Sequence, residues 1–212
     1  IEFAKCAFKL CHDMVWDCSS AYWCLPRLSL SGWPIAVWPL ESGLIVDYIS
    51  TRGKDGPLGF EQALLSGLAR DGGLYLPVEW PTFSPEEIAG MRDLSYVQLA
   101  GRVMAPFCNG EIDEGELTAM AGAAYAGFDH PAIAPLVQLD DTIHILELFH
   151  GPTIAFKDYA MQFLARAFDR ALSKKRQHAV ILGATSGDTG SAALEAFQGR
   201  GAVDVFILFP EG

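Results

Sequence analysis

The sequence predicts an α/β protein: a small helical N-terminal domain followed by the start of a parallel α/β domain. Three observations carry this. Capped helix starts cluster between positions 84 and 116, and a strand–helix–strand–helix–strand alternation runs from Ile143 to Phe209. That alternation also breaks off before a sheet is complete, so the second domain is expected to be truncated and the chain a fragment. The expected division is 1–46, 47–128 and 129–212.

Residues 1–46 hold Trp16, Trp23, Trp33 and Trp38 and four of the five cysteines (Cys6, Cys11, Cys18, Cys24). They show no sustained period of 3.6 or 2. They read as a non-native upstream extension, translated in an over-extended frame and unstructured or poorly packed. A genuine N-terminal extension is the alternative. The cysteine spacings match no zinc pattern and contain no C-x-x-C. No apolar run approaches the roughly 20 residues of a membrane helix, and the first residues do not form a signal peptide.

From Tyr48 the pattern becomes regular. Phe60, Ala63, Leu64 and Leu68 fall on one helical face, and Asp71-Gly72-Gly73 closes the segment as a turn. Capping boxes are expected at Ser84 with Glu87, Ser95 with Gln98 and Asp113 with Glu116, with Pro85 at a first helical position. Gly127 stops the third helix.

The second half alternates. Ile143–Leu148 reads as a strand and 157–173 as a helix with Ala160, Phe163, Leu164, Ala167, Phe168 and Ala171 inward. Ala179–Leu182 reads as a short buried strand, Thr189–Phe197 as a helix and Val203–Phe209 as a strand. This order implies a parallel sheet with right-handed crossovers.

Charge excludes some functions. Fifteen basic against 26 acidic residues leave a net charge of −11, which repels phosphate backbones and anionic lipid. The expectation is no nucleic-acid partner and no membrane partner.

Two constellations can carry chemistry. In His150-Gly151-Pro152-Thr153-Ile154-Ala155-Phe156-Lys157-Asp158, a turn leads from a strand into a helix. Lys157 stands at the helix start, where the helix dipole and the apolar Ile154, Ala155 and Phe156 are expected to favour the neutral, nucleophilic amine. An isolated lysine in a first turn would read as an ordinary surface residue; the surrounding glycine, proline and apolar triplet argue otherwise. His150 is a tempting base, but its position suits packing or capping of the turn.

The second is Gly183-Ala184-Thr185-Ser186-Gly187-Asp188-Thr189-Gly190, between a strand and a helix. Small and hydroxyl residues there expose backbone N–H groups at a positive helix end, which is either an anion cradle or a plain well-capped turn. A Walker loop fails because no lysine follows Gly190, and G-x-G-x-x-G is absent. A nucleophile elbow on Thr185 fails because the hydrolase order needs a later histidine and none follows His178.

HGPTIAFKD followed by GATSGDTG, with YISTRG and GFEQALLSGLARDGGLYLP upstream, resembles the threonine synthase family of fold-type-II pyridoxal-phosphate enzymes. The resemblance runs from about Tyr48 to the end, three motifs in the family's order, and residues 1–46 have no counterpart in it. It implies that Lys157 holds pyridoxal 5′-phosphate as a Schiff base and acts as acid and base. It implies that Asp188 lies near the cofactor's 3′-oxygen, and that Thr185, Ser186, Gly187 and Thr189 take the substrate carboxylate. Groups for the cofactor's phosphate and pyridine nitrogen lie further on in the family.

The implied reaction converts O-phospho-L-homoserine and water to L-threonine and phosphate, with a cytoplasmic location and an inactive fragment. Another fold-type-II enzyme, such as a dehydratase or cysteine synthase, fits less well because of the STRG stretch and the FKD context. A non-catalytic remnant is the rival of a different class.

Overall fold

The computed structural model describes residues 47–185 and 187–210. The expected extension over 1–46 lies outside the described residues. The first elements are β1 (Tyr48–Ser50), α1 (Phe60–Ser66), β2 (Tyr75–Pro77), α2 (Pro85–Gly90), α3 (Tyr96–Met104), a 3-10 turn (Ala105–Cys108) and α4 (Glu114–Tyr125). They are followed by β3 (Leu136–Gln138), β4 (His144–Leu146), α5 (Lys157–Lys174), β5 (Ala179–Ala184), α6 (Asp188–Phe197) and β6 (Val203–Leu208).

Local chemistry sets most helix starts. Ser84 and Ser95 each accept from the N3 backbone while Glu87 and Gln98 reach back to the cap N–H, closing two full capping boxes. At α4 only half of the expected box forms: Asp113 accepts from the Glu116 N–H, and the Glu116 carboxylate goes to Arg170 instead. A guanidinium is the stronger donor, so the glutamate leaves its own cap.

The first region is not purely helical. β1 and β2 pair antiparallel with Tyr48 opposite Pro77 and Ser50 opposite Tyr75. The STRG stretch and the Asp71-Gly72-Gly73 turn form one hydrogen-bonded knot. Ser50 Oγ donates to Asp71 Oδ1 at 2.6 Å, Lys54 N to Asp71 Oδ2 at 3.0 Å and Arg52 Nη1 to the Asp71 carbonyl at 2.8 Å. Those donors, the Ser50 hydroxyl first, hold the Asp71 carboxyl below its ordinary range.

The parallel α/β unit is smaller than expected. β5 and β6 pair parallel, Ala179 with Val203 through Ala184 with Leu208. The strand expected at Ile143–Leu148 does not join them; it forms β4 and pairs antiparallel with β3. α5 and α6 cover one face of the parallel pair. On the other face Val180, Leu182, Phe206 and Leu208 are exposed, so β5 is not the buried strand the sequence suggested.

α5 is the central element. Its buried residues Met161, Ala165, Ala167, Phe168, Ala171 and Leu172 join Leu64 of α1 and Ala192, Ala196 and Phe197 of α6 in one core. Alanine at the contacts lets the helices approach closely, and Phe168 meets Phe197 edge-on at 6.3 Å. The buried face differs from the expected stripe: Ala160 is exposed, and Asp158, Met161 and Gln162 are buried. A helix flanked by α1, α4 and α6 has no single solvent side, so its period understates its burial. Charge closes the junction. Arg170 pairs with Glu61 and Glu116, and Lys174 reaches Glu61 at 3.1 Å, tying α5 to α1 and α4.

Candidate active site

The turn that carries Lys157 is strained and fastened. Ile154 has φ 65°, a left-handed conformation that is an outlier for a β-branched residue. Its side chain is 74% exposed, so no packing compensates for that conformation. Hydrogen bonds do. Ile154 N donates to the Gly151 carbonyl at 3.0 Å, Thr153 N to Asp158 Oδ2 at 2.8 Å and Thr153 Oγ1 to Asp158 Oδ1 at 2.7 Å. Asp158 is fully buried in the first turn of α5, where the helix dipole favours a carboxylate. A Cβ on Gly151 would stand 2.5 Å from the Asp158 side chain, so only glycine admits this staple. Strain of this kind persists where the surroundings over-determine the conformation.

Lys157 is the first residue of α5 and half-buried. Its expected apolar enclosure is partial: Ala155 is buried, but Phe156 is 51% exposed and Ile154 more so. The lysine Nζ lies over the Phe156 ring, 4.4 Å from its centroid, in a cation–π contact. Here the ring acts as a platform for the amine instead of a lid over it.

Aromatic packing fixes the start of α5. Tyr159 sits edge-on to Phe128 at 4.8 Å and donates through its hydroxyl to the Ile133 carbonyl at 2.6 Å. Tyr125 of α4 donates to the Tyr159 carbonyl at 3.1 Å.

His150 enters the turn between two carboxylates, with Nε2 2.7 Å from Glu147 Oε2 and Nδ1 3.0 Å from Asp129 Oδ1. Both ring nitrogens can donate only in the imidazolium form, and the Glu147 contact, with that of Asp129, raises its pKa above the ordinary histidine value. This arrangement straps the turn and leaves neither ring nitrogen free as a base. Of the strap only Glu147, three residues before His150, was visible locally; Asp129 arrives from 21 residues upstream.

The second constellation lies at the same end of the parallel pair. α5 leads into the start of β5, and α6 leaves from its end. Ala202, just before β6, donates to Asp169 in the C-terminal half of α5 at 2.9 Å, which fixes that sense. Both helices therefore run back along the strands, and their N-termini stand at the carboxyl end of β5 and β6. Ligands of open α/β folds bind at this end. Thr185 N continues the ladder to the Leu208 carbonyl at 3.1 Å, and Gly187 precedes α6 without a side-chain cap. The Gly190 N–H already donates to the Gly187 carbonyl at 3.0 Å, so the uncommitted first-turn amides of α6 are those of Asp188 and Thr189, which suit an anion. Asp188 is exposed and opens the helix, and Thr189 is half-buried behind it. Ser186 lies outside the described residues.

Gly190 keeps this loop close to the sheet. A Cβ there would meet Thr185 Cγ2 at 2.7 Å and Ile207 Cγ2 at 3.0 Å. The structure thus brings the helix start of Lys157 and the 185–190 loop to one rim, one offering an amine and the other amide donors. Elsewhere, the free thiol of Cys108 is buried, and burial followed by the Glu111 charge pushes it up to about 12, so it is no nucleophile.

Comparison with known proteins agrees with these motifs. Residues 47–125 match the family model described as threonine synthase N terminus. The chain is 52% identical over 163 residues to threonine synthase of Pseudomonas aeruginosa, covering 77% of this chain and 35% of that protein. It is 44% identical over 176 residues to that of Schizosaccharomyces pombe, covering 79% and 34%. Among solved structures it resembles the PLP-bound threonine synthase from Brucella melitensis, with TM-score 0.77 and 56% identity over 79% of this chain and 36% of that one. Threonine synthase from Escherichia coli matches with TM-score 0.67 and 35% identity, over 78% and 37%. The chain thus spans about a third of the length of the curated relatives it matches. On motif, geometry and identity together, the chain matches the N-terminal region of threonine synthases.

Proposed function

We propose that this chain forms the N-terminal part of a pyridoxal-phosphate-dependent threonine synthase, which converts O-phospho-L-homoserine and water to L-threonine and phosphate. One observation carries the reading: a lysine on a strained, buried-aspartate-stapled turn shares the carboxyl rim of a parallel pair with an amide-lined loop. The residues fit the cofactor, because the Gly190 approach keeps the loop open to a ligand and the Phe156 platform leaves the Lys157 amine reachable.

Lys157 would hold the cofactor's aldehyde carbon through Nζ, and Asp188 would face its 3′-oxygen. When bound, that group supplies an electron sink for the bonds broken at the substrate's α-carbon. The chain's own residues do the rest. Thr185, Ser186, Gly187 and Thr189 bind the substrate carboxylate with amide and hydroxyl donors, which orients the α-carbon proton. Lys157 Nζ, when not bound to the cofactor, would accept that proton and return it further along the carbon chain. The Asp158 staple keeps Nζ in place between those steps. Groups for the cofactor's phosphate and pyridine nitrogen, and for the leaving phosphate, are not among these motifs. A cytoplasmic setting follows from this biosynthetic reading, as does a small-molecule substrate with no nucleic-acid or membrane partner.

Borohydride reduction of the complete gene product with bound cofactor, followed by peptide mapping, tests the assignment. The pyridoxyl group is expected on Lys157. Its appearance on Lys174 or Lys175 would sink the reading. Lys157→Ala and Lys157→Arg should each abolish cofactor attachment and lower turnover by orders of magnitude, since a guanidinium cannot attack an aldehyde.

A further inference from the structure

A cleft opens among α4, α5 and α6, with a volume of about 250 Å³. Its walls include Gly127 after α4, Pro152 of the lysine turn, Gln162 and Arg166 of α5, Glu195 of α6 and Arg200 just beyond it. Arg200 follows the end of α6 opposite to the one that carries the 185–190 loop.

The two arginines are the unusual feature. Arg166 is held rigidly: Nη1 donates to the Gln162 carbonyl at 2.7 Å and to Gln162 Oε1 at 3.0 Å, and Nη2 to the Ala123 carbonyl at 2.6 Å. All three acceptors are neutral. Arg200 makes no side-chain hydrogen bond or ion pair among the described residues, and the Nε atoms of both arginines are buried without a partner. Glu195 shares the cleft but forms no ion pair with either. Burial, followed by the charge of Arg200, holds Arg166 below the ordinary arginine range. By contrast, Arg170, two helical positions of four residues away from Gln162, is neutralised by Glu61 and Glu116. Two like charges line one small cleft whose Glu195 carboxylate pairs with neither of them, which leaves an electrostatic vacancy for an anion between the guanidinium groups.

We propose that this cleft binds a small oxyanion, a carboxylate or phosphate group, between the guanidinium forks of Arg166 and Arg200. The fixed Arg166 presents its remaining Nη2 donor without loss of side-chain freedom, and Arg200 closes over the ion from the facing wall. The volume holds such a group with several waters of ~30 Å³ each, and is too small for a nucleotide. Pro152 in the wall places the ion against the turn that ends at Lys157. The inference does not depend on the reaction proposed above.

The test is calorimetric titration of the full 212-residue chain with inorganic phosphate and, separately, succinate, at ionic strength fixed by chloride. One or both should bind saturably at 1:1. Arg200→Gln should weaken binding about tenfold or more, because a charge-assisted pair is lost. That variant breaks no internal bond of the side chain, and its circular-dichroism melt should match the parent. Arg166→Lys, which keeps the charge and loses the fork, should also weaken binding. Phosphate alone, succinate alone or both identify the anion class and support the site. Absence of saturable binding overturns it, and so does equal affinity in Arg200→Gln, which would place the anion elsewhere, such as the start of α6.

Discussion

The two turns at the carboxyl rim of β5 and β6 are built on opposite plans. The lysine turn is fastened by side chains. Asp158 ties down Thr153 through two bonds, and His150 spans Glu147 and Asp129. The 185–190 loop has no side-chain cap at Gly187 and relies on the close approach of Gly190 to the sheet. The difference teaches what each part must do. A covalent handle has to be held still, so its turn spends its polar side chains on itself. A loop that receives an anion has to keep its backbone donors uncommitted.

The comparison breaks most readily at Asp158. Asp158→Ala leaves the Thr153 amide and hydroxyl without acceptors beneath a strained Ile154, and should cost about 3 kcal/mol. Urea unfolding of the chain measures this, and Asp158→Asn, which keeps one acceptor, should recover part of the loss. A loss below about 1 kcal/mol would mean the staple is dispensable.

The other turn should fail sterically. Gly190→Ala drives a methyl to within 2.7 Å of Thr185 and should cost about 1–3 kcal/mol. It should also distort the loop, which amide exchange across 185–190 would report. Gly190→Ala at parental stability would show that α6 can shift away and that the close approach is incidental.

A smaller effect belongs to pH. His150 is raised above its ordinary 6.5 by Glu147 and Asp129, so its stabilising contribution is complete below that value. As pH rises through the elevated folded-state value, the imidazolium loses a proton, one carboxylate loses its donor and the contribution disappears. The stability difference between the parent and His150→Gln should therefore be larger at pH 5.5 than at pH 8.5. Equal differences at the two pH values would remove the strap from the account. The Asp129 arm is exposed, so added salt should shrink the effect.

The smallest expected change is a gain. Ile154→Gly removes a β-branched side chain from φ 65° at a position that is mostly exposed, and should raise stability by up to about 1 kcal/mol. If it instead destabilises the chain, the isoleucine is packed in solution and the turn is not strained.

Much of the helical text was legible because it is local. Serine caps with a glutamate or glutamine three residues on need no tertiary partner, and α2 and α3 start where those residues stand. The helix expected over 157–173 ends one residue later, at Lys174. Short strands were less legible. β1, β2, β3 and β4 have three residues each, too few to display a period, and β4 was assigned to the wrong sheet. Of the site, Lys157 and the 185–190 loop were visible as motifs. Thr153 was visible only as a letter in one of them, and Asp129 carried no signal at all.

The sequence by itself determined where helices begin, which lysine stands at a helix start, and which family the motifs resemble. All three depend on neighbours within a few residues, where chain connectivity imposes the geometry. Tertiary structure decided which faces are buried, that the apolar triplet beside Lys157 is largely open, and that Asp129, Glu147 and His150 meet. It also decided that Arg170 pairs with two carboxylates while Arg166 and Arg200 pair with none among the described residues. Those outcomes depend on residues tens of positions apart, and only the packing of α5 against α1, α4 and α6 brings such residues together or keeps them apart.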